Sequence, residues 1–452
     1  MLLCARYILP VSHPHIENGA ILVRNDRIAD IGYATDLKMR YPMEEVRDFG
    51  LSALMPGFVD VHTHLEYTTL RGMSPDVPYA AWKKSLDDKS RGFSPQDWDD
   101  SALLGGLEAV ASGITTIADV TDTGASGRAA QAIGLRAVIY REAETMQKRL
   151  IPKTMNRVGD DIDRWRSEFD SNRITVGIGA NTLYACHPEL LRAIGEYASD
   201  GTPVAVHVAC SKEEADFVRA GSSPFSVHNN ELERGYGIDM PPWLPTGVSP
   251  VQYILNWGIL DAPNVLAIHG VHVDDADIEY LAGRDVAIAY CPRCNAKLGM
   301  GVAPVGKYLA AGVRVGLGTD SPAASDSMDM IDEMRVGLFI QRVLGDKHDF
   351  LTTNQMVRMA TLEGARALRM DDQIGSLEVG KLADIIAIDL HNSHQAPTHY
   401  PASAIVHTCN QDNVFMTMVG GRILFDGQRH VHRVDPDRIR ARAEEMRIKL
   451  RR

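Results

Sequence analysis

The chain has little cysteine, few aromatic residues and no long apolar run, and each shortage removes a class of protein. Six cysteines are spread over 452 residues, at 4, 186, 210, 291, 294 and 409, without framework spacing, so disulfides are not what holds it together. The one close pair, Cys291 and Cys294 in "CPRC", has no second CxxC and no redox-type helix start beside it. It reads as a strand end. No apolar stretch reaches the roughly 18 residues that a membrane-spanning helix needs, and Met1 to Val23 lacks the charged-then-apolar order of a signal peptide. The expected location is the cytoplasm. Basic charge is short as well: the formal net charge is -12, which argues against a nucleic-acid partner, since binding there works by displacing phosphate counterions. With 45% hydrophobic and 23% charged residues, what remains is an ordinary globular protein, long enough for one large α/β domain with an accessory domain or for two to three ordinary ones.

Between about 55 and 370, short β-rich runs alternate with amphipathic helical stretches. The strand candidates are "FVDVH" at 58, "TTIADV" at 115, "RAVIYRE" at 136, "ITVGIGA" at 174, "PVAVHV" at 203, "VLAIHG" at 265, "VAIAYC" at 286 and "RVGLGTD" at 314. Continuous Val/Ile/Ala runs mark strands buried on both faces, and eight of them predict a (β/α)8 TIM barrel over 55–374. "DDADIEYLAGRD" from Asp274 shows the helix cues between them, acids at the start and Gly283 near the end. The flanks are different: "NGAILVRNDRIADIG" at 18, "GSLEVGKLADIIAIDL" at 375 and "VFMTMVGGRILFDGQ" at 414 are short strands separated by Asn/Asp/Gly turns. Residues 1–54 and 375–452 are therefore expected to form one small β-sandwich, followed by a charged C-terminal helix, "DRIRARAEEMRIKLRR", read as a solvated helix end.

Chemistry concentrates where barrel strands end. In "PGFVDVHTHLE" His62 and His64 stand two apart, and residues i and i+2 of a strand point the same way, so both imidazoles can meet one ion. His207, His269 and Asp320 fall at the ends of three other strands, the face on which barrel enzymes assemble their sites. His62, His64, His207 and Asp320 are the expected ligands of one divalent transition metal, zinc or alternatively iron, with a position left open for water. Such an ion lowers the pKa of its water toward neutrality. Asp320 is the natural base, and His269 would orient the water or polarise the bond to be broken.

"PGFVDVHTHLE", "HVACSKEEADFVRAG", "HGVHVDDADIEYLA", "CPRCNAKLGMGVAPV" and "VGLGTDSPAASDSMDMIDEMR" together resemble the amidohydrolase superfamily, in its branch of cytosine, guanine, S-adenosylhomocysteine and triazine hydrolases. Within that branch "HTHLE", "YREAE" and "SKEEADFVRAGSSPF" look most like the aminodeoxyfutalosine deaminases of menaquinone biosynthesis. The resemblance implies a metal-dependent hydrolase that uses metal-activated water on a nitrogen heterocycle, deaminating an aminopurine-type nucleoside. Two places break the pattern. The branch has His-x-x-Glu where this chain has His207-Val-Ala-Cys210, and that Glu shuttles the proton in deamination. In "GANTLYACHPELL" Asn181 replaces a substrate-contacting histidine and Leu183 a proline.

Three readings of Cys210 stay open: a catalytic acid or base, a further metal ligand, or a packing residue. Glu213 and Glu214 follow Ser211, a plausible helix N-cap, and read as acids in a first turn favoured by the helix dipole. Substrate contacts are expected from Glu66, Glu142, Asn181, Arg293 and Asn295, each at or just past a strand end. His272 and His228 read as structural or surface residues, and Trp82 and Trp98 as covers of the barrel mouth. The partner is a small heterocyclic molecule, not a membrane, with a homodimer left open. Two rivals stand beside deamination: hydrolysis of a ring amide or of another leaving group on a triazine-type substrate, and a catalytically silent metal-bound homologue.

Overall fold

The computed structural model describes residues 1–450 apart from 75, 228, 230–243, 346–349, 428 and 433. His228, Gln428, Arg451 and Arg452, which fall in stretches quoted above, lie outside the described residues. The eight predicted runs are the strands of one parallel sheet in sequence order. They are β1 (Phe58–Thr63), β2 (Ile114–Thr121), β3 (Arg136–Ala143), β4 (Ile174–Ala180), β5 (Val204–Val208), β6 (Val265–His269), β7 (Ala287–Tyr290) and β8 (Arg314–Leu317). Nearly every residue in them is buried, as burial on both faces of a barrel requires. The helix predicted from Asp274 forms over Asp275–Gly283, with Asp274 and Asp277 in a reciprocal capping box.

The barrel closes just past β8. Asp320 N donates to His62 O at 2.9 Å, and the Asp60 carboxylate of β1 accepts from Thr319 N at 2.9 Å and Thr319 Oγ1 at 2.6 Å. Gly318 permits the approach: a Cβ at this position would come within 3.0 Å of His62 N, O and Cβ. The residue before Asp320 is thereby tied to the strand that carries the HxH pair.

Both termini contribute to a second sheet of nine strands. The N-terminal segment gives Leu2–Ile8, Ile16–Arg24, Arg27–Tyr33, Val46–Asp48 and Ser52–Pro56, and the C-terminal segment gives Ile385–Asp389, Val414–Val419, Arg422–Asp426 and Arg429–His430. The two meet where Ser52–Pro56 pairs antiparallel with Ile385–Asp389. The expected run of hairpins is only part of it, because Leu2–Ile8 pairs parallel with both Val46–Asp48 and Ser52–Pro56. A helix, Ala34–Arg40, supplies the crossover that a parallel pair needs. Among the described residues no helix is long and apolar enough to cross a membrane.

The C-terminal helix corrects the sequence reading. Over Pro436–Leu450 it buries Ile439 and Met446, and Arg442 Nε donates to Asp100 Oδ2 at 3.0 Å on the barrel's outer helix Pro95–Ala111. Its apolar residues are too few and too widely spaced among charges to advertise a docked face.

Barrel and terminal sheet are joined by a buried ion pair. Arg136, at the start of β3, meets Asp384 through Nε at 3.0 Å and Nη2 at 3.3 Å, with both side chains 3% exposed. Gly420 N adds a third bond to the same carboxylate at 2.7 Å. Deleting one member strands a buried charge, which costs about 3–5 kcal/mol. Asp384→Ala is therefore expected to lose stability by about that amount in denaturant titration, with bound metal unchanged. A loss below about 1 kcal/mol would mean that the pair behaves as a surface one.

Candidate active site

His62 and His64 leave β1 on one face, as their spacing requires, with ring centroids 4.8 Å apart. His207 of β5 lies 5.1 Å from His62 and 5.6 Å from His64 between ring centres, and His269, the last residue of β6, lies 5.9 Å from both His62 and His207. Asp320 Oδ1 is 3.6 Å from His62 Nε2 and 4.0 Å from His64 Nε2, and its Oδ2 is 3.9 Å from His269 Nε2. Donor atoms of His62, His207 and His269, and of His62, His64 and Asp320, lie within 4.8 Å of one another. The five residues predicted at strand ends are thus brought together at the carboxyl end of the barrel.

The backbone is strained here. His269, Asp320 and Ala209 sit at φ 75°, 56° and 54°, a region that costs non-glycine residues about 1–3 kcal/mol each. Strand-end strain of this kind persists only where surrounding bonds over-determine it, as the pairing of Asp320 N with His62 O does.

Hydrogen bonds decide which ring nitrogens are available. His64 Nδ1 donates to Val120 O at 2.7 Å, and His269 Nδ1 donates to Asn295 Oδ1 at 3.0 Å, so each presents Nε2 to the cluster. Both nitrogens of His62 and Nδ1 of His207 are buried without a hydrogen-bond partner, which is costly, and a cation would relieve part of that cost by taking the one lone pair of the His62 ring. Burial, and then the neighbouring imidazoles, press His207 well below its ordinary pKa. Burial likewise brings His64 to about 3 and His269 to about 4. Burial alone would raise Asp320, but the surrounding imidazoles, His62 foremost, hold it well below the usual carboxylate range. Unprotonated His64, His207 and His269 beside an ionised Asp320 are in the protonation states that a metal ligand set requires. The residues fit a divalent cation.

Above the cluster is a cavity of about 50 Å³, whose lining includes Tyr67, Tyr79, Trp82, Lys83, Glu142, Asn181 and Thr182. Trp82 covers it as expected, its Nε1 donating to Ala323 O at 3.2 Å, whereas Trp98 packs on Tyr67 and Phe93. Of the predicted substrate contacts, Glu142 and Asn181 line the cavity. Burial, then Glu144, pushes Glu142 up to about 8, and Asn181 Nδ2 donates to Glu144 Oε2 at 2.6 Å. The other three are turned elsewhere. Glu66 is buried and accepts from Thr121 Oγ1, Thr123 Oγ1 and Asp122 N. Arg293 spends its guanidinium on Glu333, Asp332 and Ser327, and Asn295 holds His269. Position at a strand end does not say whether a long side chain points into the mouth or into the wall, and in these three a local partner decides.

Cys210 is fully buried and is not among the residues that line the cavity. Burial and the adjacent Glu214 push its thiol well above the ordinary range, so it is a neutral S–H, and neither group of possible metal ligands includes it. Glu214 overturns the helix-dipole reading. Ser211 does cap its N–H, at 3.2 Å, but the Glu214 side chain is fully buried and faces Cys210, while Glu213 stays half-buried. His272 is structural, bonded to Met300 O at 2.6 Å, and all six cysteines are free and buried. Sequence reasoning missed Tyr67, Tyr79, Lys83 and Thr182, none of which ends a strand, and it passed over Asp60, which stands two residues before His62 and could have been found from that spacing.

Residues 53–424 match the amidohydrolase family. The chain belongs to that family. This amidohydrolase is a hydrolase of carbon–nitrogen bonds other than peptide bonds, and the branch that its motifs resemble is borne out by its relatives. The 5-methylthioadenosine/S-adenosylhomocysteine deaminase of Pelotomaculum thermopropionicum is 31% identical over 443 residues, covering 96% of this chain and 94% of that one. An adenosine deaminase of Xanthomonas campestris with bound zinc superposes with a TM-score of 0.86 at 24% identity, over 100% of this chain and 98% of that one. An atrazine chlorohydrolase of Arthrobacter aurescens complexed with zinc gives 0.83 at 23%, over 98% and 99%. At those identities the two structures speak for the fold.

In the amidohydrolase, Asn295→Ala removes the acceptor that fixes the His269 tautomer. Losing such a partner typically costs about 10- to 100-fold in activity. Turnover is expected to fall by that much with metal content unchanged, and Asn295→Asp, which keeps an acceptor, is expected to retain most of it. Full activity in the Ala variant would remove Asn295 from the site.

Proposed function

We propose that this amidohydrolase deaminates an aminopurine-type nucleoside, an adenosine derivative, by hydrolysis of a cyclic amidine. The observation that carries the reading is the convergence of His62, His64, His207, His269 and Asp320 beneath a cavity that offers Trp82, Glu142 and Asn181. The adenosine-based substrates named for the 31% identical relative support it, and so does the resemblance to aminodeoxyfutalosine deaminases, whose substrate carries the same amino-bearing purine.

One ion per chain, zinc in preference to iron, is held by His62, His64, His207 and Asp320. When bound it supplies Lewis acidity and brings a water's pKa toward neutrality. The chain's own residues do the rest. His269, with Nδ1–H given to Asn295, keeps an unprotonated Nε2 and orients the water by accepting its hydrogen. The ionised Asp320 takes the water's proton as the oxygen bonds to the amino-bearing ring carbon. A proton from a donor of the site goes to the ring nitrogen, Asp320 passes its own to the amine, the exocyclic C–N bond breaks as ammonia leaves, and the adduct's hydroxyl proton returns to the donor as the C=O forms. Glu142 and Asn181 are the polar contacts to the substrate, and Trp82 covers the heterocycle and excludes water.

The test is ammonia release from adenosine derivatives, run beside a triazine panel scored for other leaving groups. Ammonia from the nucleosides is the expected result, and turnover of the triazines alone would overturn the reading. Elemental analysis is expected to find close to one metal per chain, lost in His62→Ala/His64→Ala. Asp320→Asn keeps the shape but loses the base, and should lower turnover by about 100- to 10,000-fold in a folded protein. Activity within about tenfold of wild type would remove Asp320 from the chemistry.

A further inference from the structure

Glu214 is a fully buried carboxylate with no cation among its partners in the described residues. Its Oε2 accepts from Cys210 N at 2.8 Å and stands 2.7 Å from Cys210 Sγ, and its Oε1 accepts from Leu183 N at 3.4 Å. The other titratable groups near it are Tyr79, Tyr184 and Cys186, all neutral at pH 7. A carboxylate that only completed a helix dipole would sit in solvent, as its neighbour Glu213 partly does. From the same thiol a path leads back to the cavity. Cys210 Sγ lies 3.7 Å from Tyr79 Oη, Tyr79 Oη lies 3.0 Å from Tyr184 Oη, and Tyr79 lines the cavity together with His207, His269 and Asp320.

We propose that Glu214 is a positioning residue that holds an active-site proton and delivers it through Cys210 Sγ and Tyr79 Oη. The proposal rests on the deaminase reading. As water adds to the ring carbon, Tyr79 gives its phenolic proton to the ring nitrogen, Cys210 refills Tyr79, and Glu214 refills Cys210. When Asp320 has protonated the amine and ammonia leaves, the adduct's hydroxyl proton returns along the same path, so the cycle closes without an outside donor. Through Leu183 N the same carboxylate ties the loop after β4, which carries Asn181, to the loop after β5, which carries Cys210. The two places where the chain departs from its branch share one anchor. Burial, acting first, lifts Glu214 to about 7, which suits a group that must hold and release a proton near neutrality.

The decisive variants move the carboxylate. Glu214→Gln is expected to lower kcat by about 100- to 10,000-fold while KM, metal content and the melting profile stay near wild type. Adding Cys210→Glu to Glu214→Gln puts a carboxylate back at the position that faces Glu214, four residues earlier and before the helix, and is expected to recover at least about tenfold of the loss; a merely structural staple would not be rescued so. Tyr79→Phe, which leaves Glu214 untouched, should show the same fall in kcat. Glu214→Gln or Tyr79→Phe within about twofold of wild type, or no recovery in the folded, metal-loaded double variant, overturns the assignment. A separate readout needs no turnover: in the wild-type-minus-Glu214→Gln infrared difference spectrum at neutral pH, which cancels the buried carboxyls that both proteins share, Glu142 among them, a protonated-carboxyl band belonging to Glu214 is expected. If wild type releases no ammonia, the deaminase reading falls while that difference band still decides whether Glu214 holds the proton; a difference spectrum without it overturns the proposal.

Discussion

The seam between the first and last barrel strands is the constraint on which the site depends. One backbone bond from Asp320 to His62 and the Asp60 carboxylate on Thr319 bring together residues more than 250 positions apart in the chain. Without that closure the HxH pair and the aspartate would be strand ends on opposite edges of an open sheet. With it, the strained φ at Asp320 becomes tolerable, because its bond to His62 leaves the chain no other course.

Stability and chemistry are divided between the two ends of the barrel. At the amino end Arg136 and Asp384 form a buried, doubly bonded pair that locks the terminal sheet in place. At the carboxyl end His62 and His207 stand buried with unsatisfied nitrogens, and burial depresses the proton affinity of His207, an arrangement unfavourable to the empty fold and favourable to a cation. Barrel enzymes in general separate the two tasks this way, and here Arg136 opens its strand whereas His207 and His269 stand at the carboxyl ends of theirs.

Burial also outweighs compensation around the cavity, at Glu142 in spite of Lys83 and at Glu214, which has no cation among its partners in the described residues. Glu142 and Glu214 are both raised, to about 8 and about 7, and each lies where its protonation state bears on what the cavity can bind or exchange. The thiol at 210 makes sense in that setting. A second carboxylate there would stand directly against Glu214, and like charges at that distance cannot both ionise, whereas a neutral S–H can stay beside the carboxyl and pass a proton.

Much of this was legible in the chain itself. Strand periodicity located all eight barrel strands, because burial on both faces leaves unbroken Val/Ile/Ala runs, and polar singletons at the ends of such runs, His62, His64, His207, His269 and Asp320, could only face the barrel mouth. Spacing along a strand is local, so the sequence by itself determined the barrel and the residues that meet at its carboxyl end. The direction of a long side chain past a strand end is decided by whichever partner the fold brings near. Tertiary structure alone turned Glu66 onto two threonines, Arg293 onto Glu333, Asn295 onto His269 and Glu214 inward onto Cys210, and it docked the C-terminal helix through Ile439 and Met446. Those partners are distant in sequence or sit at unpatterned positions, and a contact of that kind exists only once the chain has closed on itself.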